Sequence, residues 1–258
     1  MKCRLDQLLL DRDMVADLKE ARARILAGEV IVGEQRLDKC GQQVASDVRI
    51  RLRSRTGRMF VSRGGQKLDH ALGVHNVAVK AEVCLDLGAS TGGFTDCLLR
   101  REACRIYAVD VGYGLLDWRL RTDDRVINLE RTHAGHLTSV DIPEPIGLVC
   151  ADLSFTSLEN IIPKVTWCLH QGTVGAFLIK PQFEAEKHEI GTGGIVTDSQ
   201  VHQRVCHQIQ RYMAVLGFVD FELVESPIKG AKGNTEFILL CVWSGSTPAP
   251  EAPAAKNE

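Results

Sequence analysis

Apolar residues recur along this chain with two different periods, and the change of period divides it. Near the start, Leu5, Leu8 and Leu9 fall on one side of a short helix, and Leu18, Ala21, Ile25 and Leu26 form the stripe of a second over 16–27. Gly28 is placed to end that helix. Residues 29–33 and 48–53 then cluster or alternate as strands. In the second, Val48, Ile50 and Leu52 point one way while Arg49, Arg51 and Arg53 point the other. From residue 82 onward, strand-length apolar runs at 82–87, 105–110, 125–129, 146–150, 173–179, 218–224 and 236–243 are interleaved with helical stretches at 94–101, 115–121, 157–169 and 199–216. That rhythm predicts an α/β fold, a doubly wound sheet with right-handed crossovers. The last two strands follow one another without a helix, so one of them is expected to run antiparallel. The expected domains are therefore 1–60, small and α+β, and 61–243, with a disordered tail of Ser, Gly, Pro, Ala and charge over 244–258.

Composition narrows the class. A hydrophobic content of 45% and a net charge of -2 describe a soluble protein with material for a real core. No apolar run approaches the ~20 residues of a membrane helix, and the N-terminus does not resemble a signal peptide. Nine scattered cysteines, several inside strand-like runs, suit reduced thiols in a cytoplasm and no zinc site. The net charge hides an asymmetry. Residues 1–63 hold fourteen Lys or Arg against nine Asp or Glu, so this part carries +5 and the remainder -7. A strand with arginine along its open face is a poor structural choice unless anions neutralise it, which points the small module at a polyanion. Arg4, Arg22, Arg24, Arg49, Arg51, Arg53 and Arg63 are the candidate contacts; a merely solvated basic face is the alternative.

The candidate chemistry gathers at strand ends. Val83-Cys84-Leu85-Asp86-Leu87 reads as a buried strand that runs into Gly88, Ala89, Ser90, Gly92, Gly93 and Phe94, a glycine-rich turn opening a helix. The spacing Asp-x-Gly-x-x-x-Gly-Gly fits neither the dinucleotide fingerprint nor a phosphate-binding P-loop, and is more like a loop that binds S-adenosylmethionine. Asp110, followed by Val111, ends the second strand, where an acid meets ribose hydroxyls. Asn128 and Glu130 end the third and are placed for the adenine side, unless Glu130 is an ordinary loop acid. Asp152 ends the fourth strand and Lys180 leaves the fifth. Glu236 opens the last strand, which places it at the same edge if that strand is antiparallel. Lys67 lies one turn into a helix that Ser62 or the glycines at 64 and 65 start. Lys67, Asp152, Lys180 and Glu236 are therefore expected to converge beside the glycine loop. Residues 181–197 read as a mobile loop over the site, in which His188 either touches RNA or is an ordinary exposed residue.

The small module resembles the helix–helix–hairpin RNA-binding domain of a ribosomal small-subunit protein and of many pseudouridine synthases, through the phrase Ala23 to Gly33. The whole chain resembles the TlyA family, once called haemolysins. The matching stretches are Ser62 to Leu68, Asp86 to Thr95, Asp110 to Gly114, Ala151 to Phe155, Leu178 to Glu184 and Lys229 to Asn234. The resemblance implies a class I Rossmann-like methyltransferase sheet, in which an antiparallel strand near the end is expected, preceded by a small α+β RNA-binding domain of the ribosomal-protein type. It implies S-adenosylmethionine as cofactor, no metal, ribosomal RNA or ribosomal subunits as partner, and 2′-O-methylation of ribose, with cytidine as the nucleoside. The related FtsJ-type enzymes use a Lys-Asp-Lys-Glu tetrad, and Lys67, Asp152, Lys180 and Glu236 supply it in the same order.

In that role Lys180 would orient the ribose hydroxyl and take its proton. It can do so only after losing its own, which burial or Lys67 as a like charge would favour. Asp152 would hold the lysines, and Glu236 would position one of them. Two other readings stay open: a cofactor-binding RNA or ribosome assembly factor without turnover, and a membrane-active haemolysin. Methyl transfer separates the first from an enzyme; leakage of liposomes by pure protein would revive the second. A methyltransferase for a small molecule is disfavoured by the basic module, and one for a base nitrogen by the missing Asn/Asp-Pro-Pro-Tyr type motif after the fourth strand of the sheet.

Overall fold

Seven strands of the second part of the chain hydrogen-bond into one sheet, and its register decides which residues meet. The computed structural model describes every residue except 1, 13, 16, 27, 29, 34, 53–59 and 246–258. Arg53, the ends of the second helix expected at 16 and 27, and the tail beyond Gly245 lie outside the described residues. The chain divides into two compact units, Met1–Met59 and Phe60–Glu258.

The first unit contains β1 (Lys2–Arg4), α1 (Leu5–Asp11), α2 (Leu18–Leu26), β2 (Val30–Val32), β3 (Gln35–Leu37), β4 (Gln43–Ala45) and β5 (Ile50–Leu52). β1 pairs with β4, and β2 lies between β3 and β5, all antiparallel. Leu5, Leu8 and Leu9 of α1 pack with Ala21 and Ile25 of α2 and with Val30. Val48, Ile50 and Leu52 turn toward that core, whereas Arg49 and Arg51 are exposed. Asp6 is buried at 1% exposure, and its carboxylate accepts from Arg4 at 3.0 and 2.8 Å and from Arg22 at 3.2 Å. Chiefly the Arg4 bond holds this carboxyl down at about 2.

The second unit runs α3 (Gly64–Val74), β6 (Val83–Leu87), α4 (Gly93–Arg100), β7 (Arg105–Val109), α5 (Trp118–Arg121), β8 (Val126–Leu129), β9 (Ile146–Ala151), α6 (Leu158–Ile161), β10 (Leu169–Ile179), α7 (Pro181–Glu184), α8 (Ser199–Leu216), β11 (Phe218–Glu225) and β12 (Phe237–Trp243). The strand order is β11-β12-β10-β9-β6-β7-β8. β12 is antiparallel to both of its neighbours, while β6 to β10 pair in parallel. This is the Rossmann-like methyltransferase sheet. One core layer sets α8 and α6 against the sheet through Val205, Ile209, Met213 and Leu158; the other uses α3 and α4 through Leu68, Leu72, Phe94 and Leu98.

Two expected helices are shorter in the structure. The stretch 157–169 is α-helical only over Leu158–Ile161 and continues as single 3₁₀ turns at Ile162–Lys164 and Thr166–Cys168. Pro163 has no N–H to give, and its ring crowds the preceding turn. The stretch 115–121 is helical only from Trp118, where Asp117 accepts the Arg119 N–H at 3.0 Å. The region 181–197 carries α7, a 3₁₀ turn at Lys187–Glu189 and a bridge between Gly191 and Ile195. Buried Asn234 ties this region down by accepting from the Val196 N–H and donating to the Gly194 carbonyl, both at 3.0 Å.

The register places the site. Leu87 lies opposite both Val109 and Ala151, Phe177 lies opposite Ala151, and Ile179 lies opposite Phe237. Gly88, Asp110, Asp152, Lys180 and Glu236 therefore leave or enter the sheet at one edge, the edge where open α/β sheets bind ligands.

Candidate active site

Gly88 makes the sharp turn that opens this edge. Its φ is +80°, and a Cβ there would lie 2.6 Å from the backbone carbonyl oxygen of Asp152. Gly93, at the start of α4, is held against the Ser62 hydroxyl and the Gly65 N–H, so no side chain fits there either. Asp86 lies beneath this loop and lines neither of the cavities described below. It is fully buried, and its carboxylate accepts the Thr95 hydroxyl at 2.6 Å, which pins α4 to β6. Burial pushes this carboxyl up to about 7, against the opposing pull of the Thr95 hydrogen bonds. Its uncharged form suits the fold, so its contribution to stability is full below the ordinary carboxylate range and is lost as pH rises through about 7. Asp86→Asn is expected to flatten the fall in thermal midpoint between about pH 4 and pH 8. Parallel wild-type and variant curves would contradict the assignment.

Asp110 braces the turn from the other side. One carboxylate oxygen accepts the Ser90 N–H at 2.8 Å and the other accepts the Gly112 N–H at 2.7 Å. Each oxygen keeps a lone pair for a further donor. Asp110 and Val111 line a cavity of about 370 Å³ with Leu115, Leu153, Phe155 and Ile161. Asn128, Glu130 and Gly92 line neither cavity. Glu130 is paired with Arg121 and accepts the Gly114 N–H at 2.9 Å, so it supports the loop after β7.

The second cavity, of about 320 Å³, is lined by Lys67, Asp152 and Lys180 together with Ala89, Gly93, Phe94, Arg63 and Gly64. Both lysines are 8% exposed. They form two separate ion pairs. Lys180 Nζ lies 2.6 Å from Asp152 Oδ1 and donates to Ser154 Oγ at 3.0 Å. Lys67 Nζ pairs with Glu236 Oε2 at the base of the site, where Glu236 is 2% exposed. Asp152 thus holds Lys180 alone, and the partner of Glu236 is Lys67. Glu236 rests against the backbone of Gly230, where any Cβ would collide with its carboxylate.

Both cavities share Gly88, Ser90, Asp152 and Ser154, so one elongated ligand can occupy both. The wider one joins apolar walls to Asp110, with the shared Asp152 at its edge, and is lined by no lysine or arginine. That lining suits a nucleoside with free hydroxyls and disfavours a phosphate. The glycine cradle and this acid fit an adenosyl group, with its amino-acid end directed to the cavity that holds the lysines.

Ser154, Phe155 and Gln182 were not among the expected site residues. Their signal was position alone, next to Asp152 and Lys180. Phe155 has a φ of +63° and is 91% exposed, with its ring 5.2 Å from that of Phe183. An exposed aromatic held in the left-handed region is strained, and such strain marks functional edges. Of the expected RNA contacts, Arg63 is exposed and lines the lysine cavity. Arg4 and Arg22 are engaged by Asp6, and Arg24 pairs with Glu20 at 2.7 Å.

The FtsJ-like methyltransferase profile matches residues 60–242. YqxC of Bacillus subtilis is 41% identical over 245 residues, which cover 95% of this chain and 87% of that protein. The 16S/23S rRNA (cytidine-2'-O)-methyltransferase TlyA of Mycobacterium tuberculosis is 39% identical, covering 92% of this chain and 89% of its own. The solved structure of a hemolysin-named protein from Streptococcus thermophilus superposes with a TM-score of 0.73 at 37% identity, covering 95% of this chain and 90% of that one. The chain belongs to the FtsJ-like methyltransferase family and, within it, stands with the TlyA proteins.

Proposed function

We propose that this protein transfers a methyl group from S-adenosylmethionine to the ribose 2′-oxygen of a cytidine in ribosomal RNA. The observation that carries the reading is the pair of buried lysines, each with its own carboxylate, in a cavity that shares a wall with the adenosyl-shaped one. The bound cofactor supplies a methyl group already activated on a sulfonium. What the protein must add is alignment and a place for one proton, because a ribose hydroxyl is a weak nucleophile.

Lys180 is the group for that proton. Its ammonium sits between Asp152 and the Ser154 hydroxyl at the shared wall, so it can orient the incoming oxygen there. It is buried on the same cavity wall as Lys67, so an oxygen placed there meets its amine with little competing water. Asp152 fixes the direction of its amine, and Glu236 keeps Lys67 in place. The stretch after β9, Asp152-Leu153-Ser154-Phe155, is not the Asn/Asp-Pro-Pro-Tyr type that serves a base amine, which favours a hydroxyl as the target. Phe155 offers a flat apolar face at the rim on which an extruded base can stack.

On this reading the protein works in the cytoplasm on ribosomal RNA or ribosomal subunits, and Met1–Met59 grips RNA through the open face of β5 and the arginine that precedes it. Arg49→Ala and Arg51→Ala are each expected to weaken RNA binding and to lower the salt slope of log K by about 0.7 to 0.9 for each phosphate no longer neutralised. Filter binding across a salt series measures this, and an unchanged slope would remove β5 from the interface. Among the described residues no helix is long and apolar enough to cross a membrane.

The function is tested by offering labelled cofactor with naked rRNA, with each ribosomal subunit, and with a small catechol as a non-RNA acceptor. Label in rRNA that digests to 2′-O-methylcytidine supports the reading. Label in the small acceptor alone, or in none, overturns it.

A further inference from the structure

We propose that Gln182 is a positioning residue that acts through Glu236 and couples the two ion pairs of the site; the inference deepens the functional reading above and rests on it. Gln182 lies in α7, two residues after Lys180, so the turn that presents the lysine also presents this amide. Its Nε2 donates to Glu236 Oε1 at 3.3 Å, while Glu236 Oε2 carries the Lys67 ammonium. A carboxylate only accepts, which fixes the amide nitrogen as the atom facing it. Glu236 is therefore boxed on three sides, by Lys67, by Gln182 and by the bare backbone of Gly230.

The other end of the amide makes packing an insufficient reason for its presence. Gln182 Oε1 is buried and has no hydrogen-bond partner among the described residues. An unpaired buried acceptor costs stability, and a methionine of similar length would avoid that cost. What a methionine cannot supply is the N–H on Glu236. With one carboxylate oxygen held by Gln182, the other stays on Lys67, and Lys180 is left to Asp152 and the cavity. Gln182 thus keeps the two lysines from exchanging partners, and it does so without adding charge beside them.

The test compares full-length wild type, Gln182→Met and Gln182→Glu for thermal midpoint, cofactor affinity, and kcat and KM on ribosomal RNA across pH. Gln182→Met is expected to melt at or above the wild-type temperature and to bind cofactor normally, with kcat lowered by about tenfold at unchanged KM. Gln182→Glu places a second carboxyl beside Glu236. While protonated, the new carboxyl donates as the amide does; once ionised, it repels Glu236 and draws on both lysines. Its activity is therefore expected to approach wild type at the acid end and to fall away as pH rises, a step absent from the wild-type profile. Full kcat in Gln182→Met, or a Gln182→Glu profile parallel to wild type, overturns the inference while leaving the methyltransferase reading intact. A wild-type chain inactive on all rRNA overturns that reading and this inference with it.

Discussion

Lys180→Ala lowers kcat for methyl transfer to ribosomal RNA by about 10² to 10⁴, the range that a positioned proton acceptor contributes. Cofactor affinity falls far less than the rate, because Lys180 lines the cavity that takes the amino-acid end and not the adenosyl-shaped one. The variant folds, since the lysine stem is replaced at a cavity wall and Asp152, with its side chain 25% exposed, can turn to water. Lys180→Arg discriminates between roles. An arginine keeps the positive charge and can still hold Asp152, but it does not give up a proton in a protein. If Lys180 only orients the hydroxyl, arginine restores much of the rate; if it takes the proton, the arginine variant stays as slow as the alanine one. Single-turnover rates on preformed enzyme–cofactor complex, with titration calorimetry alongside, measure both. A Lys180→Ala enzyme at more than a tenth of wild-type rate would remove this residue from the chemistry.

Gly88→Val abolishes cofactor binding at ordinary concentrations, a loss of about 100-fold or more. Two costs meet at this residue. Its φ of +80° lies where a β-branched side chain is strained, and the new Cβ would stand 2.6 Å from a backbone oxygen of Asp152 that cannot swing away. Relief requires β6 and β9 to part at the ends that carry the loop and Asp152. The damage therefore reaches both cavities, and turnover disappears with binding. Calorimetric titration with S-adenosylmethionine, paired with a thermal melt to show that the chain is folded, reads the effect. Wild-type affinity in a folded Gly88→Val protein would mean that the glycine turn is structural only.

Much of this architecture was legible because the large unit is built from elements long enough to declare a period. α8 was readable to its ends: Asp198 accepts the Gln200 N–H at 2.8 Å, Gly217 closes the helix at a φ of 111°, and Val205, Cys206, Ile209 and Met213 mark the buried stripe between. The absence of a helix between the last two strands was enough to expect an antiparallel one, and β12 is that strand. In the small unit β1, β3 and β4 were not foreseen. Each is three residues long, too short to show alternation, and each is held by pairing with a distant segment.

For the site, strand ends were readable and partners were not. Five residues could be assigned to one edge, because position in a parallel sheet follows from strand order. Whether Glu236 meets Lys67 or Lys180 depends on where each ammonium reaches, which no pattern of letters encodes. Asp86 and Glu130 show the same limit. Asp86 lies one residue before the end of β6 and Glu130 just after β8, and the letters did not show that Thr95 donates to the first and Arg121 pairs with the second. That Arg4 and Arg22 share the buried Asp6 was likewise not legible from their spacing.

The most direct test of the central claim asks which atom receives the methyl group. A methyl on the 2′-oxygen blocks attack of that oxygen on the neighbouring phosphate, so the linkage beside it survives alkali. Ribosomal RNA labelled by the wild-type protein is hydrolysed in alkali, and the products are separated by size. The account predicts label in alkali-stable dinucleotides, and none when Lys180→Ala is used. Label released in mononucleotides would put the methyl on a base, and the buried lysines would then need another explanation.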